Sequence, residues 1–572
     1  MSPYLTRKGY SAAALSAFFM MAGILAESWS LIFLGMTALC FILGSYAAFI
    51  PKCAAVRRRM LEMAWWVPSI EMSRGSLIPD APFPLRIYIR NKADYSLGWA
   101  RIRAIKSRSV IMETEPPPLR LRGSSETGAV CSLKATAAGH PFLHGATMSI
   151  TDILGIFEME AFFSTSLELR VFPRLSIRPL RSIRGSLVGA PHQRTGAHRR
   201  RLTGFGGELK EIREHRPGDS FKQIAWAPTA RFRKLMVTEH ESEILMNHHL
   251  ILDISSTMRD REPGKSKLDY GVDFCAGFAK EALDGGDRVG LMTVDSRILN
   301  HVKISEGRKQ LFRIVEQLME AHHVIDEDLT DLTDAELVEC TALYLMYQEG
   351  VDARIKHLPP PESNLWKYIV TGPSGGVFDI RILDGWAQAV LNNLQANPGK
   401  TPKWLKNRQG PPAKDPRMAG LRLICRLRGI DIPYRTGFLR ERKTSGMAEA
   451  VRFVASAHRM HHIVLVSDLM GFDVRGPMKA ALQFAMKRGH RITAFCPFAP
   501  MLWSDFRGQN EKLFFRIFAK DEMHSLSPVF FELAKLGVRV KVGSPEKPVE
   551  TPRGGSTDLK TRKKNTVSGR MF

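Results

Sequence analysis

The sequence predicts an α/β protein whose main domain is a doubly wound, mostly parallel sheet, preceded by a transmembrane helical hairpin and a small β-sandwich. Three observations lead to this prediction. Two apolar runs lie within the first 50 residues, short alternating segments fill residues 65–175, and strands alternate with helices from residue 250 onward. Strands that alternate with helices pair in parallel, with helices on both faces of the sheet. A chain of 572 residues is long enough for about three domains.

The transmembrane hairpin is predicted for residues 1–59, with helices at about 10–26 and 29–50. Both runs are apolar and have roughly the length that crosses a bilayer, and only Glu27 and Ser28 separate them. Basic residues flank the hairpin on both sides, so the positive-inside rule places both of its ends in the cytoplasm. We therefore expect a protein of the inner (cytoplasmic) membrane with two transmembrane helices and its soluble part in the cytoplasm. A cleaved signal peptide is the competing interpretation, which the second apolar run and its basic end disfavour.

Residues 60–175 are predicted to form the β-sandwich-like domain. Phe83–Arg90 and Trp99–Ile105 alternate apolar and charged side chains with a period of two, which is typical of strands with one buried face. Further short strands are bounded by Gly, Pro or Asp, as in small sandwiches. Residues 176–245 follow as a linker and a polar block rich in Gly, Arg, Glu and His.

The α/β domain is predicted for residues 246–326 and 436–543, with residues 327–435 as an insertion. Ligand sites of such sheets lie at the carboxyl ends of the strands. Residues 544–572 are polar and basic, and we expect this tail to be disordered. The predicted elements of the domain are strand 250–253, helix 270–283, strand 288–294, helix 308–322, helix 447–458, strand 463–466, helix 477–487, strand 492–495, helix 526–536 and strand 538–542.

Charge and cysteine usage exclude several classes of protein. The formal net charge is +25 and the pI is near 9.9, but Lys and Arg are spread through every segment and form no nucleic-acid module. We therefore expect a basic face held near an anionic membrane, and no nucleic-acid partner. Seven scattered Cys without a CxxC pair argue against a disulfide framework and a zinc site, and indicate a reducing compartment.

Side chains that carry oxygen atoms follow two of the predicted strands. The first strand runs into Asp253, Ser255 and Thr257, and Asp468 follows a later one. A hard cation such as Mg²⁺ binds oxygen ligands in near-octahedral geometry. The sequence therefore predicts a Mg²⁺ site, with another divalent cation as the alternative. The candidate metal ligands are Asp253, Ser255, Thr257, Thr444, Ser445 and Asp468.

The order of these residues resembles the metal-ion-dependent adhesion site of von Willebrand factor A domains. In that family the first two hydroxyls and a later Thr bind the metal directly, while the aspartates mostly act through water. The resemblance implies that Ser255 and Thr257 are direct ligands and that the two aspartates act through water. The later hydroxyl stays open, because the spacing favours Ser445 and the residue type favours Thr444.

The polar block upstream reads Thr203-Gly-Phe-Gly-Gly-Glu-Leu, Arg213-Glu-His-Arg-Pro-Gly-Asp219, Gln223-Ile-Ala-Trp226 and Thr229-Ala-Arg231. These motifs resemble the signature of the bacterial domain-of-unknown-function 58 family. The resemblance implies a membrane hairpin, a β-rich segment, a von Willebrand A-like domain and association with a MoxR-type AAA+ ATPase. Leu209, Ala225 and the long insertion depart from the family's pattern.

Two further groups of polar side chains are expected to be structural. The charged residues of the polar block are expected to form a buried ion-pair network beneath Trp226. Two histidine pairs, His248-His249 and His461-His462, each precede a predicted strand and are expected to be strand-edge polar residues, with transition-metal binding as the alternative. The charged residues concerned are Arg213, Glu214, Arg216, Asp219 and Arg231.

The expected function is that of a membrane-anchored, cytoplasm-facing protein-interaction module with an adhesion-type metal site. The module would act as an adaptor between a MoxR-type AAA+ ATPase and an unknown client protein. We do not expect an enzyme, because no general base can be placed beside the candidate site. The alternatives are a metal-independent envelope scaffold and a metal-dependent hydrolase.

Overall fold

The chain folds into two compact units. The N-terminal unit comprises residues 1–173, 262–264 and 322–437, and the C-terminal unit comprises residues 174–261, 265–321 and 438–572. The computed structural model describes residues 3–68, 77–152, 154–176, 198–216, 221, 224–244, 246–261, 263–360, 362–397, 401–406, 414–437, 440–472, 476–497, 509–543 and 548–550. Most of the predicted disordered tail and most of the predicted linker lie outside these residues; the tail residues Pro548–Glu550 are described and form a strand.

Helices and strands occupy most of the described chain. The helices are α1 (Arg7–Leu25), α2 (Trp29–Arg57), α3 (Trp226–Phe232), α4 (Lys267–Asp284), α5 (Arg308–Met319), α6 (Asp334–Tyr344), α7 (Ile380–Ala396), α8 (Lys403–Lys406), α9 (Pro416–Arg428), α10 (Arg440–Ala455), α11 (Pro477–Lys487) and α12 (Gln509–Lys535). The strands are β1 (Tyr4–Leu5), β2 (Leu61–Trp66), β3 (Pro82–Asn91), β4 (Gly98–Lys106), β5 (Val110–Met112), β6 (Leu119–Leu121), β7 (Ser125–Ala135), β8 (Phe142–Thr151), β9 (Phe157–Phe163), β10 (Leu167–Glu168), β11 (His198–Glu214), β12 (Met236–Ile244), β13 (Asn247–Asp253), β14 (Arg288–Val294), β15 (Ile298–Ser305), β16 (Ile369–Thr371), β17 (Val377–Asp379), β18 (His462–Val466), β19 (Arg491–Pro497), β20 (Arg539–Gly543) and β21 (Pro548–Glu550).

The β-rich part of the N-terminal unit consists of two antiparallel sheets. One has the order β1-β9-β8-β4-β6 with β10 beside β8, and the other has the order β2-β3-β7-β5. Inward side chains from both sheets, such as Ile87 and Met148, belong to one hydrophobic core and are fully buried. The alternation of buried and exposed side chains along β3 is the period-two pattern that the sequence shows. The predicted all-β character of this region is confirmed.

The two N-terminal helices are long and apolar enough to cross a membrane. Their outer surfaces carry large exposed apolar side chains, with Trp29 84% and Phe33 73% exposed. The last part of α2 has different surroundings: Phe49 is 1% exposed in the core of the sheets, and the Ser45 hydroxyl donates to Asp152 Oδ2 at 3.0 Å. One side of the end of the predicted 29–50 span therefore packs against protein, while Tyr46 and Ile50 on the same part of α2 stay exposed.

The predicted insertion, residues 327–435, groups with the N-terminal unit and has a helical core of its own. Buried residues of α6, α7 and α9, such as Leu337, Leu383 and Leu421, form one cluster. A capping box formed by Thr333 and Glu336 begins α6. This segment contacts β8, because the Gln348 amide donates to the carbonyl oxygen of His144 at 2.6 Å.

The main sheet of the C-terminal unit has the order β15-β14-β13-β18-β19-β20-β21. Strands β14, β13, β18, β19 and β20 pair in parallel, and β15 and β21 pair antiparallel at the edges. The other sheets of the protein, including the β11–β12 hairpin, are antiparallel. The predicted mixed α/β class with two apolar helices at the N-terminus is confirmed.

Side chains of β13 and β18 alternate between two helical layers. Ile251 and Leu465 belong to the core that α10, α11 and α12 cover. Leu252 and Val466 point to the other face, where a Cβ atom added at Gly271 of α4 would lie 3.0 Å from Leu252 and 3.3 Å from Val466. Helices therefore cover both faces, and the carboxyl ends of the central strands meet at one edge of the sheet.

Histidines line the opposite, amino-terminal edge of this sheet. His248 Nδ1 lies 3.0 Å from His462 Nδ1, and His248 Nε2 lies 3.2 Å from Asp287 Oδ2. His249 stacks near His301, and neither of its ring nitrogens has a hydrogen-bond partner among the described residues. Burial, followed by repulsion from His301 and His461, lowers the pKa of His249 to about 3. The histidine pairs lie at strand starts, as the sequence predicts, and His248, His249 and His462 are buried there.

The buried imidazole of His249 predicts a loss of stability in mild acid. A folded-state pKa of about 3 against an ordinary value of 6.5 means that stability is present above pH 6.5 and is lost as the pH falls below it. Between pH 7 and pH 5 this one group costs about 2 kcal/mol of unfolding free energy. Unfolding of the full chain measured at both pH values checks this. His249→Leu reduces the pH dependence by that amount and exposed His458→Gln does not; equal slopes for His249→Leu and wild type would contradict the prediction.

Candidate functional site

Two of the predicted site residues meet where β13 and β18 end. The strands are parallel neighbours, with Leu252 opposite Val466, so the residues that follow leave the sheet at the same edge. The Ser467 hydroxyl donates to Asp253 Oδ2 at 2.6 Å. Asp253 is 1% exposed and Asp468 is fully buried. The structure thus brings together two carboxylates that are more than two hundred positions apart in the chain.

A lysine that the sequence reasoning did not consider lies between these carboxylates. Lys443 Nζ is 2.8 Å from Asp253 Oδ2 and also donates a short hydrogen bond to Asp468 Oδ1. A third hydrogen bond from the same ammonium reaches Thr257 Oγ1 at 2.8 Å. Lys443 is only 1% exposed, so this ammonium group is held inside the protein by three oxygen atoms. These are oxygens of predicted metal ligands.

Ion pairing keeps the Lys443 ammonium and the Asp468 carboxylate charged. Burial alone would lower the pKa of Lys443, but the carboxylates of Asp253 and Asp468 outweigh burial and raise this pKa above its ordinary value. Burial alone would raise the pKa of Asp468, but Lys443 and Lys267 outweigh it and lower that pKa. A carboxylate stabilised in this way is a poor proton acceptor.

A second buried lysine extends the cluster. Lys267, at the start of α4, places Nζ 2.7 Å from Glu522 Oε1 and 3.8 Å from Asp468 Oδ2. All three side chains are less than 7% exposed. Buried charges are tolerated when each has a close partner of opposite charge. We call Asp253, Asp468, Lys443, Lys267 and Glu522 the strand-end charge cluster.

The remaining predicted ligands surround this cluster less closely. Ser255 donates its backbone N–H to Asp253 Oδ1 at 3.0 Å, a local hydrogen bond that turns the chain after β13. Its hydroxyl lies 3.2 Å from Thr257 Oγ1. Thr444 is 2% exposed at the start of α10, whereas its neighbour Ser445 is exposed. Burial thus distinguishes the two hydroxyls between which the sequence left a choice.

The arrangement does not fit a divalent cation while Lys443 keeps its position. Mg²⁺ requires oxygen ligands at about 2.0–2.1 Å in near-octahedral geometry. The point shared by Asp253 Oδ2, Asp468 Oδ1 and Thr257 Oγ1 holds an ammonium group, and a second cation there would meet strong repulsion. Within the described ranges, no group of three or more His, Cys, Asp or Glu side chains has metal-binding geometry. The predicted Mg²⁺ site stays a prediction, and it requires Lys443 to move.

A signal for Lys443 was present in the sequence. It directly precedes Thr444 and Ser445, two of the candidate metal ligands. A search for oxygen ligands passes over a lysine, because lysine is almost always exposed and supplies no oxygen. Its position at the cluster follows only from the packing of α10 beside the ends of β13 and β18.

The polar block upstream presents an exposed apolar surface. Phe221 is 78%, Trp226 70% and Phe232 63% exposed, and Leu235 is exposed as well. We call these four side chains the aromatic surface. Backbone hydrogen bonds hold it in place, because the His215 N–H donates to Leu235 O at 2.8 Å and the Ala225 and Met236 backbones pair at the same distance.

The expectation that the ion-pair network near Trp226 is buried is wrong for its described members. Arg216 and Arg231 are exposed, and Glu214 forms an exposed pair with Lys234 at 2.7 Å. The helix that carries Trp226, α3, has seven residues and buries none of them. Asp219, another member of the expected network, lies outside the described residues. The described residues of the block therefore form an exposed surface, whereas the sequence predicted a buried ion-pair network.

Comparison with known proteins identifies the block. Residues 211–338 match the family described as "Protein of unknown function DUF58", and the predicted family is thereby confirmed. Uncharacterized proteins of Mycobacterium bovis and Mycobacterium tuberculosis are 25% identical over 157 residues, which is 27% of this chain and 49% of each relative. The chain thus spans about half the length of these curated relatives. A FixG-related protein from Vibrio parahaemolyticus matches 20% of this chain and 96% of its own, with 11% identity and a TM-score of 0.14, too low to support a conclusion about fold or function.

Proposed function

We propose that this chain, which matches the DUF58 family over residues 211–338, is a membrane-anchored interaction module that docks a protein partner through the aromatic surface. The single observation that carries the proposal is the exposure of Phe221, Trp226 and Phe232 within or beside one short helix. Soluble proteins expose isolated apolar residues freely, but clustered aromatic side chains are typical of binding surfaces.

The charge around the aromatic surface supports an acidic partner, although Lys234 is already paired with Glu214. Arg231, Arg233 and Lys234 are exposed beside Phe232 and Leu235. A rim of cations steers an acidic protein to the site and disfavours a basic one. The formal net charge of +25 acts in the same direction over longer distances. The module therefore suits a partner that presents carboxylates around an apolar pocket.

The membrane anchor is the helical hairpin. Helices α1 and α2 both have the length and composition of membrane-spanning helices, and their large apolar side chains are exposed. Basic residues at both ends of the hairpin support an orientation with those ends, and the soluble part, on the cytoplasmic side of an inner membrane, as the positive-inside rule favours. The anchor would hold the aromatic surface close to a partner at the membrane.

The family resemblance suggests a MoxR-type AAA+ ATPase as the partner and an adaptor role toward a client protein. The parallel central strands of the C-terminal unit support this role, because the carboxyl ends of such strands offer an edge at which a partner can bind. We propose a non-enzymatic adaptor, since both buried aspartates at that edge are paired with Lys443. The same pairing favours an adaptor that engages its partner without a metal ion.

Removing the aromatic surface is expected to weaken partner binding by about 30-fold or more, as loss of a central hot spot does. The test uses Trp226→Ala/Phe232→Ala in the full chain reconstituted in nanodiscs, with a purified MoxR-type ATPase of the same organism as the probe. The thermal unfolding midpoint should not change, because both side chains are exposed. Phe312→Ala is the matched control, since Phe312 is 66% exposed on α5 of the same unit.

Equal binding by wild type and the double variant would overturn this proposal. A second arm replaces the ATPase with vesicles that contain anionic lipid. If the aromatic surface supports vesicle binding and not ATPase binding, its occupant is the membrane surface and the adaptor proposal fails.

A further inference from the structure

We propose that the Lys443 ammonium takes the place of a divalent cation at the end of the parallel sheet, and that the same oxygens bind such a cation once the lysine side chain is removed. The inference rests on the geometry of the strand-end charge cluster. It is independent of the aromatic surface and of any partner that this surface binds.

The contacts of Lys443 Nζ are those of a cation in an oxygen cage. One carboxylate oxygen comes from each of two neighbouring strand ends, and a hydroxyl oxygen comes from the turn that follows β13. The three oxygens are contributed by Asp253, Asp468 and Thr257, all of them predicted metal ligands. An ammonium has three donors and no acceptor, so three converging oxygens satisfy its hydrogen-bonding capacity.

The charge balance shows why the position requires a cation. Lys267 is paired with Glu522 at 2.7 Å, which leaves Asp253 and Asp468 to share Lys443. Without Lys443, two adjacent buried carboxylates would face each other. Among the side chains that the structure describes, Lys267 would be the one remaining cation paired with them, 3.8 Å from Asp468 Oδ2. One divalent cation carries the charge that two carboxylates need, and oxygen-rich sites of this kind suit Mg²⁺ or Mn²⁺.

Close packing of the backbone near Lys443 fixes the position of this residue. Three residues further on, a Cβ atom added at Gly446 would lie 2.2 Å from the carbonyl oxygen of Asp295. This close approach holds the start of α10 against the loop that follows β14. Thr444, adjacent to Lys443, is buried as well. The lysine therefore enters the cluster from a packed segment, and its ammonium stays in the cage.

The test measures binding of Mn²⁺ alone by electron paramagnetic resonance, in the full chain reconstituted in nanodiscs. Wild type is expected to bind no Mn²⁺ that depends on Asp253. Lys443→Ala is expected to bind one Mn²⁺ per chain, and Lys443→Ala/Asp253→Asn to lose that ion. Saturating Mn²⁺ should raise the thermal midpoint of Lys443→Ala by about 5 °C and leave that of wild type unchanged. Lys535→Ala, at a 56% exposed side chain, is the control and should behave as wild type.

Two results would overturn the inference. The first is one Mn²⁺ bound to wild type and lost in Asp253→Asn, which would show that a metal displaces Lys443. The second is a folded Lys443→Ala, or the closer-sized Lys443→Gln, that binds no Mn²⁺. If neither variant folds, the comparison of wild type with Asp253→Asn decides, since the absence of Asp253-dependent Mn²⁺ binding supports an ammonium-centred site.

Discussion

Replacing Asp468 with alanine is expected to lower the free energy of unfolding by about 3–5 kcal/mol, the cost of breaking a buried ion pair by removing one partner. Asp468 is fully buried and lies against the ammonium groups of both Lys443 and Lys267. Its removal leaves Lys443 with Asp253 as the one remaining carboxylate of the cage. Two cations would then face each other in a region that water does not reach.

Chemical unfolding of the full chain measures this effect. Exposed Asp521→Ala is the control and should stay within about 0.5 kcal/mol of wild type. A double-mutant cycle of Lys443→Met and Asp468→Asn should give a coupling above about 2 kcal/mol, because the two groups act on each other directly. A loss below about 1 kcal/mol in Asp468→Ala would show that the two charges are not paired in the buried state.

The pKa shifts of Asp468 and Lys443 also predict how the stability of the fold changes with pH. The pKa of Asp468 is lowered in the fold, so its contribution is present above its ordinary pKa and is lost as the pH falls through the folded value. The pKa of Lys443 is raised, so its contribution is complete below the ordinary lysine pKa and is lost only in stronger base. The cluster therefore stabilises the fold throughout the neutral range.

Replacing Gly446 with alanine is expected to destabilise the protein by about 3 kcal/mol or more. The added Cβ would lie 2.2 Å from Asp295 O, 2.7 Å from Arg297 N and 2.8 Å from Ser296 C. These are backbone atoms of a loop after β14, so neither side can yield without moving α10 or the loop. Movement of α10 would also shift Lys443 from its oxygen cage.

Gly420→Ala is the matched control for this change. Gly420 lies within α9, and a Cβ atom there would meet nothing within 4 Å. The substitution should be neutral or stabilise by about 0.4–1 kcal/mol, because alanine loses less conformational freedom in a helix. Thermal unfolding of both variants separates the outcomes. Equal midpoints for Gly446→Ala and wild type would contradict the tight packing of α10 against this loop.

The sequence predicted the position of the strand-end site but not its contents. The apolar segments that are followed by Asp253 and Asp468 predict where two parallel strands end. An apolar run and the polar residues at its end can both be recognised in the local sequence. Lys443 occupies the cage through contacts with Asp468, 25 residues away in the chain, and with Thr257, 186 residues away. No local sequence pattern encodes contacts over such separations. A lysine that is buried among acids looks like any surface lysine in the sequence.

The burial of Trp226 was wrongly predicted for the same reason, because local sequence patterns do not encode tertiary contacts. An aromatic residue within a block of charges was expected to cover them, because large apolar side chains are usually buried. Helix α3 is short and buries none of its residues, so its aromatic residues stay exposed. The helical core of residues 327–435 was equally hard to predict, since Leu337, Leu383 and Leu421 come from three separate helices.

Anomalous diffraction from crystals of the full chain grown with Mn²⁺ tests the role of Lys443 most directly. We predict no anomalous peak among Asp253, Thr257 and Asp468, and a Lys443 ammonium hydrogen-bonded to both carboxylates. A Mn²⁺ peak at that point, with the Lys443 side chain turned out of the cage, would contradict the assignment of Lys443 as the cation of this site.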